Sequence, residues 1–382
     1  MLKLSLKRPR IHILSNRWIV ALPGLFYLAN LARMLGLGSL AYLFTLVVGG
    51  GVGFAYYLIQ RDKNIRIFIP FFWMYIFTLL LNWLIINNVG ASEIASSVLL
   101  VGISLLMLLQ PWSKKYGAVV FYLTAALFYN SMRGATTRQI LTSSSNYISV
   151  LLLLACAYYY IAVERNSGKI RLIDLIPSFI SLYISIWAGG RGGILAFTFL
   201  TVCLLILYLK TITSRNAKRA VIIACVLMFA ILIVAYRNIS LIQTFMGLGR
   251  WADRGADNSS RSAIWSSYIS KAFESFLYLL FGAPLSRIPI INVFEGNTHN
   301  SFLQLHAYNG IIMFVVVFVM IFTSLWSYIK TRQYIMTAIM MTIIIRGMTD
   351  KFIFCQYGMP IQLFFILYPG VSLRNTNTDE YY

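Results

Sequence analysis

The sequence predicts an all-α, polytopic integral membrane protein, and three observations carry that prediction. Of its 382 residues, 59% are hydrophobic and only 11% are charged, with a mean hydropathy of +0.75. Soluble domains are charged at about a quarter of their positions, so there is too little polar surface here to cover a water-soluble globule. The apolar runs are also long and continuous rather than alternating. Inside a bilayer the backbone must satisfy its own hydrogen bonds, and continuous runs do so as helices, not as barrel strands.

About twelve spans follow if each crossing takes roughly 17–25 apolar residues. They fall at 17–32, 37–59, 67–87, 92–110, 117–130, 147–163, 172–187, 192–209, 219–236, 308–328, 333–346 and 357–371. The organisation is therefore a bundle of nine spans over 1–236, a long loop over 237–307 and a bundle of three spans over 308–382. The basic residues give the orientation. With the N-terminus in the cytoplasm, 20 of the 32 Lys and Arg lie on the inner side and 12 on the outer, six of these in the long loop. The short loops obey the positive-inside rule, and both termini are expected in the cytoplasm. The basic start (Lys3, Lys7, Arg8, Arg10) leads into the first span without a small-residue cleavage site.

A formal net charge of +21 raises the question of nucleic acid. The charges are spread over many short loops with no contiguous basic, aromatic footprint, so no nucleic acid is expected as a partner. The four cysteines, Cys156, Cys203, Cys225 and Cys355, stand far apart, the first three within apolar runs. They read as buried thiols.

A connection as long as 237–307 is functional or disordered. Trp251, Trp265, Tyr268, Phe273, Phe276 and Tyr278 argue for order. From Ser260 onward Ile264, Tyr268, Phe273, Phe276 and Leu280 recur near helical spacing, with Ser267, Lys271 and Glu274 opposite. That pattern predicts an amphipathic helix at the outer membrane interface.

The outer side carries an arginine set. Arg191 sits in Gly189-Gly190-Arg191-Gly192-Gly193, a turn between the seventh and eighth spans; Arg133 and Arg138 follow the fifth span; Arg250, Arg254 and Arg261 lie in the long loop. Arginine stays charged and presents a planar fork of donors matched to phosphate oxygens. The glycines let backbone N–H groups approach an anion. The alternative is a plain tight hairpin with arginines meeting lipid headgroups. The other feature is Thr298-His299-Asn300-Ser301-Phe302-Leu303-Gln304-Leu305-His306. Thr298 is the expected N-cap, which puts His299 in the first turn of a helix at the membrane surface. An imidazole there is a candidate general base, whereas a lone interfacial histidine can equally be structural. His306 falls on nearly the same face, deeper in.

No acidic pair of the DxD type, P-loop, HExxH or GxSxG occurs. The outer acids are Glu93, Asp253, Asp257, Glu274, Glu295 and Asp350, too few and scattered to suggest a metal or a carboxylate-pair glycosidase. Span centres hold almost no ionisable residues, which argues against an ion-coupled transporter.

Taken together, Gly-Gly-Arg-Gly-Gly (189–193), Ser-Arg-Ser-Ala-Ile-Trp (260–265), Leu-Phe-Gly (280–282), Thr-His-Asn-Ser-Phe-Leu (298–303) and Asn309-Gly310 resemble the O-antigen polymerase and O-antigen ligase superfamily. In it an Arg-Gly-Gly turn, an Arg–x–x–x–Trp segment and a His-Asn segment recur in this order around a large periplasmic loop. The match covers about residues 185–325, and Gly190 stands where a Ser or Thr is expected before the arginine. The resemblance implies a GT-C-like, metal-independent inverting glycosyltransferase of the bacterial inner membrane, with no cofactor. Its donor would be an undecaprenyl-pyrophosphate-linked oligosaccharide, with membrane lipids and a polysaccharide chain-length regulator as further partners. Carried over, Arg191 and Arg261 would hold the pyrophosphate and His299 would activate the acceptor. Arg250, Arg254, Asn300, Arg133 and Arg138 would be substrate-binding candidates. A polymerase is the expected activity. The alternatives are a ligase delivering the glycan to lipid A core, a lipid-linked oligosaccharide flippase using the arginines as a conduit, and a scaffold without chemistry.

Overall fold

The computed structural model describes residues 17–60, 69–109, 112–132, 146–215, 218–219, 222, 259–352 and 359–375. Among the described residues the regular structure is entirely helical. In chain order the helices are α1 (Arg17–Met34), α2 (Leu40–Gln60), α3 (Ile69–Ile85), α4 (Ala91–Leu109), α5 (Lys114–Met132), α6 (Asn146–Ser167), α7 (Ile176–Trp187) and α8 (Arg191–Thr211). Then come α9 (Ser259–Phe273), α10 (Phe276–Phe281), α11 (Pro289–Asn292), α12 (Ser301–Lys330), α13 (Tyr334–Gly347) and α14 (Met359–Asn375).

Five of these are long and apolar enough to cross a membrane: α2, α4, α6, α8 and α12. Eleven of the twelve predicted spans coincide with a helix, and the ninth, 219–236, lies outside the described residues. The seventh is shorter than expected. Leu172–Leu175 is a 3-10 turn, and Pro177 starts the α-helix proper at Ile176. Twelve residues rise only about 18 Å.

The core is built around α6. Every residue from Ile148 to Val163 is buried, as expected of a helix ringed by others rather than one facing lipid. Helix α5 packs along it, with α7, α13 and α14 on its other sides. A second close pair, α2 and α4, depends on glycine. A Cβ on Gly53 would lie 1.8 Å from the Gly102 carbonyl oxygen, and one on Gly102 would lie 2.3 Å from that of Gly50. Small residues let backbones touch where lipid supplies no hydrophobic drive.

The tenth predicted span, 308–328, proves longer and broken. Helix α12 runs for 30 residues and is interrupted at Gly310, whose φ of 71° is left-handed. Free backbone groups at a break need partners in an apolar medium. Asn309 Nδ2 donates to the Tyr75 carbonyl (3.2 Å) and Thr78 Oγ1 (2.8 Å) on α3. Asn82 Nδ2 donates to the carbonyls of Phe281 and Ala307, and Asn88 Nδ2 to those of Ala283 and Ala307. Two asparagines of the α3 region thus tie α10 and its exit to the first half of α12.

The amphipathic helix predicted from Ser260 is two helices. Ser275 caps α10 by accepting from the Leu277 amide, so helical phase is lost at Glu274 and Ser275. Ile264, Tyr268 and Ala272 form the buried stripe of α9, with Ala283, Leu285, Ile288, Ile291 and Ala307 completing a small separate core. Phe273 and Phe276, read from sequence as part of the apolar face of one interfacial helix, are 72% and 74% exposed. Cys156 and Cys203 are free thiols, the first fully buried; Cys225 and Cys355 lie outside the described residues.

Gly310→Ala tests the break. Its Cβ would sit 1.7 Å from the Leu280 carbonyl oxygen at a positive φ. The variant is expected to lose at least about 1–3 kcal/mol from overpacking and backbone strain. Thermal unfolding of detergent-purified protein checks this; an unchanged midpoint would contradict the tight α10–α12 crossing.

Candidate functional site

The start of α8, the start of α6, the end of α13 and the turn before α12 meet at one end of the bundle. The Gly-rich segment explains the first of these approaches. Gly189 has φ of 68° and closes α7 with a left-handed residue; Gly190 then serves as N-cap of α8, without a side-chain cap bond. Arg191 is thus the first residue of a 21-residue helix, beside its open N–H groups and positive dipole end. Gly192 lies against Thr349, where a Cβ would fall 2.2 Å from Oγ1. Gly193 lies against Ser149, where a Cβ would fall 2.3 Å from Cβ. The run of glycines is therefore a seat as well as a turn: it lowers the Arg191 end of α8 onto α6 and the α13 exit.

His299 lies in a turn fixed at almost every backbone group. Its φ is 49°, rare for a residue with a Cβ. Its N–H donates to Asn297 Oδ1 (2.8 Å). The preceding Thr298 donates its N–H to Gln304 Oε1 (3.2 Å), and its carbonyl accepts from Trp265 Nε1 (3.0 Å). The N-cap of α12 is Asn300, whose Oδ1 accepts from the Phe302 and Leu303 amides. This corrects the expectation that Thr298 caps the helix and His299 opens it. The Thr298 hydroxyl is turned instead to the Asn300 carbonyl and Gln304 (2.8 and 3.0 Å). His299 precedes the helix, free of its geometry. Asn300, expected to bind substrate, has its side-chain oxygen engaged as this cap.

Arg261 and Trp265 are one helical turn apart on α9, so they share a face. Trp265 holds the Thr298 carbonyl while Arg261, half-buried, faces the charges of Asp350, Arg346 and Arg191. That is the physical content of the Arg–x–x–x–Trp spacing. Burial above all lowers the Arg261 pKa; Asp350 opposes, and Arg346 and Arg191 add to the lowering. The three predicted residues Arg191, Arg261 and His299, from parts of the chain far apart in sequence, thus share one electrostatic neighbourhood. Arg133, Arg138, Arg250 and Arg254 lie outside the described residues.

Two members of the site were not singled out from sequence. Arg346, 2% exposed, ends α13. Its Nη2 pairs with Asp350 Oδ2 at 3.3 Å, one turn later. Asp350, also 2% exposed, accepts the Lys351 amide at Oδ1, and that oxygen lies 4.0 Å from His299 Nδ1. The gap is too long for a hydrogen bond, and Nδ1 is buried with no partner among the described residues. Burial is the main cause that lowers the His299 pKa below about 6.5; Asp350 raises it, while Arg261, Lys351 and Arg346 lower it. An Arg and Asp four residues apart at the end of an apolar run were the available signal, obscured because lone basic residues at span ends commonly snorkel.

His306 is not part of this group. Tyr268 Oη lies 2.6 Å from Nδ1 and the Leu279 carbonyl 3.0 Å from Nε2, so both ring nitrogens are engaged in packing α9 and α10 on α12. Among the described residues no group of three or more His, Cys, Asp or Glu side chains could hold a metal ion. Arg191 and Arg261 make no hydrogen bond or ion pair with other described residues, and Arg346 is matched by Asp350. Compared with known proteins, the chain matches no family model and no curated sequence.

Gly193→Ala is expected to cost about 1–3 kcal/mol, because neither α6 nor α8 can withdraw without opening the core. Gly51→Ala, where no atom lies within 4 Å of the added methyl, is the neutral control. Equal unfolding midpoints for the two variants would show that the seat is not tight.

Proposed function

We propose that the protein is a membrane-embedded, inverting glycosyltransferase that polymerises a surface polysaccharide, joining undecaprenyl-pyrophosphate-linked repeat units at the outer face of the bacterial inner membrane. One observation carries the reading: two guanidinium groups unpaired among the described residues, an open helix N-terminus and a half-buried imidazole lie together at one end of an apolar helical bundle. The resemblance of the Arg191, Arg261 and His299 segments to the O-antigen polymerase and ligase superfamily points the same way. In this reading the bundle is GT-C-like with twelve spans, and both termini are cytoplasmic by the distribution of Lys and Arg.

The chemistry needs one bond made and one broken. A hydroxyl of the acceptor sugar attacks the anomeric carbon of the donor from the face opposite the diphosphate. The new C–O bond forms as the bond to the phosphate oxygen breaks, and the configuration inverts. The hydroxyl proton passes to His299. Negative charge grows on the departing diphosphate, where Arg191, Arg261 and the first-turn amides of α8 can receive it; fixed charge of this kind is a large source of transition-state stabilisation. Asp350 acts through His299. Closing the 4.0 Å gap would bring Nδ1–H onto the carboxylate, set the tautomer and leave Nε2 as base. Catalytic hydrogen bonds are often long before substrate binds.

His299→Ala and Arg191→Ala are each expected to abolish long-chain polysaccharide in cells while the protein still inserts normally. Unchanged glycan ladders from both variants would remove the assignment. Purified protein given lipid-linked repeat units alone should elongate them; activity that appears only when lipid A core is added would identify a ligase, and transbilayer movement of the lipid-linked glycan without elongation a flippase.

The pH dependence follows from the charges around His299. The base must be neutral, so activity should persist on the acid side below the ordinary histidine range of about 6.5. Arg261 lowers this pKa, so Arg261→Gln moves the acid limb of kcat/KM upward; Asp350 raises it, so Asp350→Asn moves the limb downward. Limbs that do not move in these opposite directions would dissociate His299 from the proton transfer.

A further inference from the structure

We propose that Arg346 is the positioning residue of this site, fixing Arg191 and His299 relative to one another without meeting the substrate. This rests on the diphosphate-accepting reading above and adds a residue to it. Four of its five N–H bonds are engaged. Nε donates to Ser149 Oγ (3.2 Å) and Nη1 to Thr349 Oγ1 (3.0 Å), while Nη2 donates to the Asn146 carbonyl (3.0 Å) and Asp350 Oδ2 (3.3 Å).

The acceptors matter because of what rests on them. Ser149 and Thr349 are the two side chains against which Gly193 and Gly192 lie, so the guanidinium holds the bed on which Arg191 sits. Asp350 is the carboxylate that faces His299, and its carbonyl accepts from Ser301 Oγ (2.5 Å) in the first turn of α12. A single planar group thus sets the Arg191 end of α8 from one side and the His299 turn from the other. At 2% exposure it is closed to a ligand. The fork is essential to this role. Lysine would keep the charge and could pair with Asp350, but a point ammonium cannot reach Ser149, Thr349 and Asn146 at once.

The test uses the full chain in detergent or nanodiscs, with Arg346→Lys beside wild type. Three quantities are read: affinity for inorganic pyrophosphate by calorimetry, the rate at which diethyl pyrocarbonate modifies His299 by mass spectrometry, and elongation kinetics. The chain has three histidines, so the modified peptide is readily resolved. Arg346→Lys is expected to weaken pyrophosphate binding about tenfold, as does loss of one charge-assisted contact, although Arg346 makes no such contact itself. It should speed His299 modification and lower kcat by about tenfold or more, in line with the penalty for small misplacements. Wild-type pyrophosphate affinity and wild-type His299 reactivity in the lysine variant would overturn the proposal, even with a lowered melting midpoint. Should that variant fail to fold, Ser149→Ala removes the Nε acceptor together with the hydroxyl's own bond to the Asn146 carbonyl (2.9 Å) and should weaken pyrophosphate binding in the same direction; no change would overturn it equally. Wild-type protein that neither binds pyrophosphate nor elongates would instead sink the glycosyl-transfer reading, whereas faster His299 modification in the variant would still support the positioning role.

Discussion

A guanidinium removed from water keeps its charge only if its donors find acceptors and its charge finds a counterion. Arg346 meets both demands at the one place where four segments converge: the beginning of α6, the end of α13, the turn after it and, through the glycine seat, the beginning of α8. A buried ion pair is weak evidence for stability in itself, because desolvation opposes the Coulomb gain. Its value here is geometric. Each acceptor constrains the plane of the fork, and the fork in turn constrains the acceptors.

The same arrangement sets the electrostatics. One carboxylate, Asp350, answers to Arg346 at 3.3 Å and lies 4.0 Å from His299. Arg261 and Arg191 are left without a carboxylate among the described residues, so the neighbourhood carries an excess of fixed positive charge. Burial above all lowers the imidazole's pKa; Asp350 opposes, and Arg261, Lys351 and Arg346 add to the lowering. In the proposed reaction the two effects serve one chemistry: cations that would attract a diphosphate also disfavour protonation of the adjacent imidazole. A site with the carboxylate nearer to His299 and farther from Arg346 would hold the imidazole charged and would attract the anion less.

The helical architecture was legible in sequence because the bilayer leaves few options: a continuous apolar run must close its own hydrogen bonds. The convergence of Arg191, Arg261 and His299 was also legible, since the orientation expected from Lys and Arg put all three on one side of the membrane. What could not be read was set by tertiary contact. Thr298 and Asn300 are both good N-caps, and the choice between them fell to Gln304 and Trp265, which claim Thr298. Phe273 and Phe276 matched a helical period that ends between them, because Ser275 begins a new helix. Arg346 looked like a basic residue at the end of a span, and only the fold shows that this end is covered by α6 and α8.

The placement of His299 before its helix, rather than within it, follows from what the residue must face. Inside the first turn its Cβ would lean along the helix axis with its neighbours. As a left-handed residue ahead of Asn300 it turns toward Asp350, with the Phe294 ring edge-on at 5.3 Å. Such a backbone is worth about 1–3 kcal/mol of strain and persists only where the surroundings over-determine it. Here they do: the Asn297 side chain holds the His299 amide, the Trp265 indole holds the carbonyl before it, and Asn300 begins the helix after it. Trp265 belongs to the same helix as Arg261, so the element that brings a cation to the site also fixes the backbone of its base. Displacing α9 would therefore disturb the Arg261 charge and the His299 turn together, which makes this helix part of the cluster rather than a tether.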